Sequence, residues 1–112
     1  MNFNEYQKLA TRTSTILGER GAEHALMYFC LGLAGETGEV IEKIKKVIRN
    51  DNAIISHEKR EQIKLELGDV LWYLSQVARI ADISFDEVAK ANIAKLADRA
   101  KRGVVKSEGD TR

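Results

Sequence analysis

At 112 residues, with a formal charge of +1 and a pI near 7.8, the chain is long enough for one compact domain and has no net field to draw it toward nucleic acid or a membrane surface. No run approaches membrane-spanning length, and the opening MNFNEYQKLATRT carries polar and charged groups where a secretory signal needs an apolar core, so a cytoplasmic protein is expected. The one cysteine, Cys30, has no partner for an internal disulfide, and its apolar neighbours Tyr28, Phe29 and Leu31 predict a buried thiol.

Proline is absent, and apolar residues recur with helical rather than strand periodicity. The first helix is expected from about Asn4, read as its N-cap, to about Leu17, with Tyr6, Leu9, Ala10 and Thr13 on one face and Gly18 and Gly21 at its exit. A second runs from about Glu23 to Arg49 on a stripe of Leu26, Phe29/Cys30, Leu33, Val40/Ile41, Ile44 and Val47/Ile48, and Asn50-Asp51-Asn52 stops it.

Ser56 then caps a third helix, whose seam is Ile63, Leu67, Val70/Leu71, Leu74 and Val77/Ala78, ending near Asp82. Ser84 and Glu87 have the spacing of a capping box and open a fourth helix, which continues to about Arg102 and is closed by Gly103. The remainder, VVKSEGDTR, has too little apolar content to pack by itself and reads as a flexible or partner-ordered tail. The expected fold is an all-α, four-helix bundle-like single domain over residues 1–112.

Two acidic pairs stand out. Glu36 and Glu39 lie three residues apart on the second helix, and Glu66 and Asp69 repeat that spacing on the third. A three-residue step places both side chains on one helix face, so facing helices would gather four carboxylates. Such a cluster repels itself unless cations fill it, and an all-oxygen ligand set favours magnesium or manganese over zinc. Di-iron bundles need E-x-x-H motifs, and neither His24 nor His57 follows a glutamate at that spacing.

The surroundings strengthen the pairing. Gly32, Gly35 and Gly38 punctuate the second helix where each is unfavourable, which suggests close approach by another backbone or a ligand. On the third helix Glu66, Asp69, Tyr73 and Gln76 share a stripe, with Gly68 between the acids.

These residues resemble the MazG-like nucleoside triphosphate pyrophosphohydrolases of the all-α NTP pyrophosphatase superfamily. The likeness lies in E-x-x-E followed by E-x-x-D, in the stretches GLAGETGEVIEKIKK and ELGDVLWYLSQVA, and in FDEVAKANIAKLADR near the C-terminus. It implies magnesium-dependent hydrolysis of a nucleoside triphosphate to a monophosphate and pyrophosphate, with Glu36, Glu39, Glu66 and Asp69 holding the metal. Family members commonly carry a further glutamate just before E-x-x-E, where this chain has Gly35, so the general base falls to Glu36 or Glu39. The resemblance also implies that Asn92 and Lys95 line the nucleotide site and that the protein is a homodimer or homotetramer.

Other candidate contacts are read from position. Lys43 and Lys46 lie one and two turns beyond Glu39, either reaching phosphates or forming a solvated polar side. Arg99 extends the Asn92 and Lys95 stripe, where a solvent-facing reading competes. Tyr73 shares the acidic stripe and suits a ligand contact, whereas Trp72 is expected chiefly to pack the core. The rival reading is a non-catalytic nucleotide-binding or helical interaction module.

Overall fold

The computed structural model describes residues 1–15, 21–104 and 106. Four helices make up the fold: α1 (Phe3–Thr11), α2 (Gly21–Asn50), α3 (His57–Ile80) and α4 (Phe85–Lys101). No strand occurs among the described residues, so the all-α expectation holds. The expected end of the first helix near Leu17 and its exit at Gly18 lie outside the described residues, and regular helix stops at Thr11.

The hairpin of α2 and α3 is the backbone of the fold, with α1 laid on α3 and α4 touching α1 and α3 but not α2 among the described residues. Phe29, fully buried, and Val47, 2 % exposed, anchor the hairpin near its two ends. Full burial of one such side chain stabilises by about 1.5–3 kcal/mol. Around Phe29 the rings of Trp72 and Tyr73 lie at 5.7 and 6.4 Å, an edge-on aromatic cluster that locks α2 against α3.

The seam between α1 and α3 is polar. The Trp72 indole N–H donates to the Ala10 carbonyl at 3.1 Å and the Thr13 hydroxyl at 2.9 Å. The Gln7 amide donates to the Ser75 carbonyl at 3.0 Å, and the fully buried Gln76 donates to Thr11 and to Ser75. Burying amides here is tolerable because their hydrogen bonds are met.

Several sequence expectations change. The N-cap of α1 is Asn2, in a reciprocal capping box with Glu5. Asn4 lies inside α1, and its side-chain oxygen accepts from the Ser84 hydroxyl and the Asp86 amide, so it binds the start of α4. Ser84 accepts from the Glu87 amide as a cap should, while the Glu87 carboxylate turns to Lys90 at 3.1 Å. Gly103 closes α4 with φ +70°, in the left-handed region that glycine enters without strain.

Cys30 is exposed, not buried, because the helical turn that buries Phe29 points its neighbour away from α3. The apolar stripes are wider than the chain itself can cover: Ile41, Ile48, Leu65, Leu67 and Leu74 remain exposed.

Candidate metal centre

Antiparallel pairing of α2 and α3 matches residues across the hairpin. Gly32 meets Tyr73, Glu36 comes to Glu66 and Asp69, and Lys43 pairs with Glu66. The rungs on α2 lie about one turn (Gly32 to Glu36) and about two turns (Glu36 to Lys43) apart, so the two acidic stripes face each other.

Glu36, Glu66 and Asp69 each place one carboxylate oxygen within 4.8 Å of the others. Glu36 and Glu66 are half-buried, and Asp69 is exposed. Glu39 stands outside this trio and is exposed, yet its charge still reaches Glu36. Burial first, then the charges of Asp69, Glu66 and Glu39, raise the Glu36 carboxyl above the usual glutamate range. A carboxyl held up in this way by burial and by crowding acids is what a site shaped for a cation looks like before the cation is counted.

The geometry fits a small divalent ion. Magnesium binds oxygens at about 2.1 Å, so ligands on opposite sides of the ion lie about 4.2 Å apart. A trio spanning at most 4.8 Å needs only a small contraction to close on it. All three donors are hard oxygens, which suits magnesium or manganese and not a soft thiophilic metal.

At one end of the trio, Lys43 Nζ lies 3.4 Å from Glu66. Lys46 belongs elsewhere, paired with Glu42 at 3.7 Å on the outer side of α2. The other end is walled by Tyr73, whose phenol is raised by burial, by Tyr28 through charge and a shared hydrogen bond, and by Glu36 and Asp69. Trp72 points from the same turn of α3 toward α1, where its N–H is spent on Ala10 and Thr13.

Residues of α4 are not gathered here. Asn92 and Lys95 line an open cleft of about 490 Å³ with Ile83, Glu87, Val88 and Ala91. Arg99, on the same stripe, is only 4 % exposed. Among the described residues α4 makes no contact with α2, the helix that carries Glu36.

Two neighbours were not singled out from sequence as site residues. Tyr28 reaches Tyr73 from two turns before Glu36, and that eight-residue spacing on one helical face was the available signal. Tyr6 of α1 is raised by burial and then by the charge of Asp69. Nothing in the sequence told which face of α1 would meet Asp69.

Of the four glycines in α2, only Gly32 is approached closely. A Cβ there would fall on the Tyr73 ring, while Gly35 and Gly38 have nothing within 4 Å of the same position. Gly68 on α3 is likewise open.

A family model described as the MazG nucleotide pyrophosphohydrolase domain matches residues 26–104, which hold both acidic pairs and all of α3 and α4. The chain is 37 % identical over 114 residues to the Gene 37 protein of Mycobacterium phage L5, with all of both chains covered. No solved structure matches it. With the match spanning most of the chain and the acids placed on facing helices, the protein belongs to the MazG nucleotide pyrophosphohydrolase family.

Proposed function

We propose that the chain hydrolyses nucleoside triphosphates between the α and β phosphates with magnesium, or manganese, releasing a monophosphate and pyrophosphate. The observation that carries this reading is the convergence of Glu36, Glu66 and Asp69 within the segment that matches the family. When bound, magnesium supplies neutralisation of charge across phosphate oxygens and a lowered pKa for the attacking water.

The chain's own groups divide the remaining work. Lys43, at the Glu66 end of the trio, is placed to take the charge of a phosphate oxygen. Glu39 is a carboxylate beside the trio but outside it, so it is the better candidate to accept the proton of the attacking water. Gly35 leaves no carboxylate nearer along the chain to compete for that role. Tyr73, half-buried beside the acids, is suited to contact the nucleotide.

Self-association is part of the same proposal. The radius of gyration is 17.0 Å, against about 13 Å for a compact chain of this length. Val40, Ile41, Ile44 and Ile48 line an apolar groove on the outer side of α2, and Ile93 is 68 % exposed on α4. Val47, beside Ile48 on the apolar stripe of α2, is by contrast buried in the hairpin. A second copy would cover these surfaces and is the natural source of an Asn92 and Lys95 for each trio. Light scattering during gel filtration is expected to give a dimer or tetramer, and Ile41→Glu with Ile44→Glu a smaller species; a parent that elutes as a monomer refutes the assembly.

The activity is tested by incubating a panel of canonical and modified deoxynucleoside and ribonucleoside triphosphates with magnesium and measuring both products. Equimolar monophosphate and pyrophosphate are expected. Diphosphate with orthophosphate would place the cut at another bond, and no release from any of them would favour a non-catalytic module.

A further inference from the structure

We propose that Gly32 is a positioning residue of the trio: the absence of a side chain there sets the spacing of α2 and α3 at which the three carboxylates converge. The inference rests on the reading that Glu36, Glu66 and Asp69 hold a divalent cation, and it assigns that site a determinant that carries no ligand atom.

Gly32 stands one turn before Glu36 on the same face of α2, and Tyr73 stands one turn after Asp69 on the same stripe of α3. Their contact is therefore the next rung of the ladder above the acids. A Cβ at residue 32 would coincide with the Cδ1, Cε1 and Cζ atoms of the Tyr73 ring, so the ring lies directly on the α2 backbone.

Nor can the ring easily swing aside. Trp72 stands edge-on to it at 5.0 Å, the fully buried Phe29 lies at 6.4 Å, and its hydroxyl shares a hydrogen bond with Tyr28. An interior packed this way transmits a methyl group's volume as displacement. The displacement open to it is separation of α2 from α3 at that rung, which spreads the acids one turn below.

The acids have little slack to absorb it. Their oxygens span up to 4.8 Å, and opposite ligands of magnesium are about 4.2 Å apart. Further separation by a fraction of a methyl's width leaves one carboxylate outside bonding distance. Helix propensity alone argues the other way, since alanine is a better helix former than glycine. An effect of alanine against that trend therefore reports the contact and not the helix.

The experiment measures Mn²⁺ affinity by isothermal titration calorimetry, with far-UV circular dichroism on each protein, for the parent, Gly32→Ala, Gly38→Ala, Tyr73→Ala and the Gly32→Ala/Tyr73→Ala double variant. Gly32→Ala is expected to weaken Mn²⁺ binding on the order of 10–100-fold, the scale seen when ligand orientation is lost while every ligand remains. Gly38→Ala, with open space at its Cβ, should bind as the parent does. In the Tyr73→Ala background, adding Gly32→Ala should leave affinity unchanged, because the clash has been removed.

Parent-like affinity for a folded Gly32→Ala overturns the proposal. So does a double variant that binds more weakly than Tyr73→Ala, and this comparison stands even where Gly32→Ala alone fails to fold. A folded parent and Gly38→Ala that both fail to bind Mn²⁺ would overturn the metal reading itself, and the inference with it.

Discussion

Asp69→Asn is expected to reduce pyrophosphate release by at least on the order of 10²-fold, the scale at which removing one preorganised electrostatic contact to a transition state acts. Asparagine keeps the size and one oxygen but loses the negative charge, so a deficit is electrostatic and not steric. Asp69 is exposed, so the variant should fold as the parent does. Glu36→Gln should fail comparably. Glu61→Gln supplies the contrast: this acid lies on the same helix but is paired with Lys64 outside the trio, and its removal should leave release near the parent rate. Equal loss in all three variants would show that the assay reads overall charge and not the site. Parent-like release from Asp69→Asn would remove the trio from the chemistry.

Magnesium is expected to raise the thermal unfolding midpoint. A ligand held only by the folded state contributes about 2.7 kcal/mol at one hundred times its dissociation constant, equivalent to a rise of about 10 °C or more for a domain of this size. Sodium at matched ionic strength should not reproduce that shift, since screening alone weakens repulsion without occupying a centre.

Glu36→Gln separates the two ways of relieving the crowding. The Glu36 carboxyl is raised in the folded chain by burial and by the neighbouring acids. Between its ordinary and raised values the folded state binds more protons than the unfolded one, so metal-free stability is greater on the acid side and falls as pH rises through that window. The neutral amide should therefore raise the metal-free midpoint near pH 7 while shrinking the magnesium-induced increment. Scanning calorimetry with chelator and with magnesium checks both signs at once. A parent whose midpoint is indifferent to magnesium would sink the cation reading.

The long helices were legible because their apolar residues keep one period for many turns and their ends carry Ser56, Ser84 and Gly103. The acidic stripes were legible for the same reason, since a fixed spacing on two helices joined by one short connection leaves few ways to face each other. Partner choice was not. A stripe on α2 reads the same whether α3 covers it, as at Phe29 and Val47, or solvent does, as at Ile41 and Ile48. Cys30 was misjudged through that ambiguity: apolar neighbours in sequence point to several faces of a helix. Spacing marked four acids alike, and it could not tell that Glu36, Glu66 and Asp69 bring their oxygens together while Glu39 stands exposed outside them. Of the helix glycines, sequence could flag the group but not say that Gly32, alone among the described glycines, meets a ring, which depends on the register of the hairpin.

The hydrogen-bonded join between α1 and α3 bears on how the protein can be cut. Residues 26–104 match the family model and look like a natural unit for expression, yet α1 lies before them. Trimming to that unit would strip Ala10 and Thr13 from the Trp72 indole, Gln7 from Ser75 and Thr11 from Gln76. Unlike an oily contact, which a detergent or any greasy surface can replace, these bonds have direction, and few substitutes would meet them all. The α1 segment thus works less as an appendage than as the keystone of the wall behind the carboxylates. A shortened protein that proves inert would say more about that missing stone than about the chemistry.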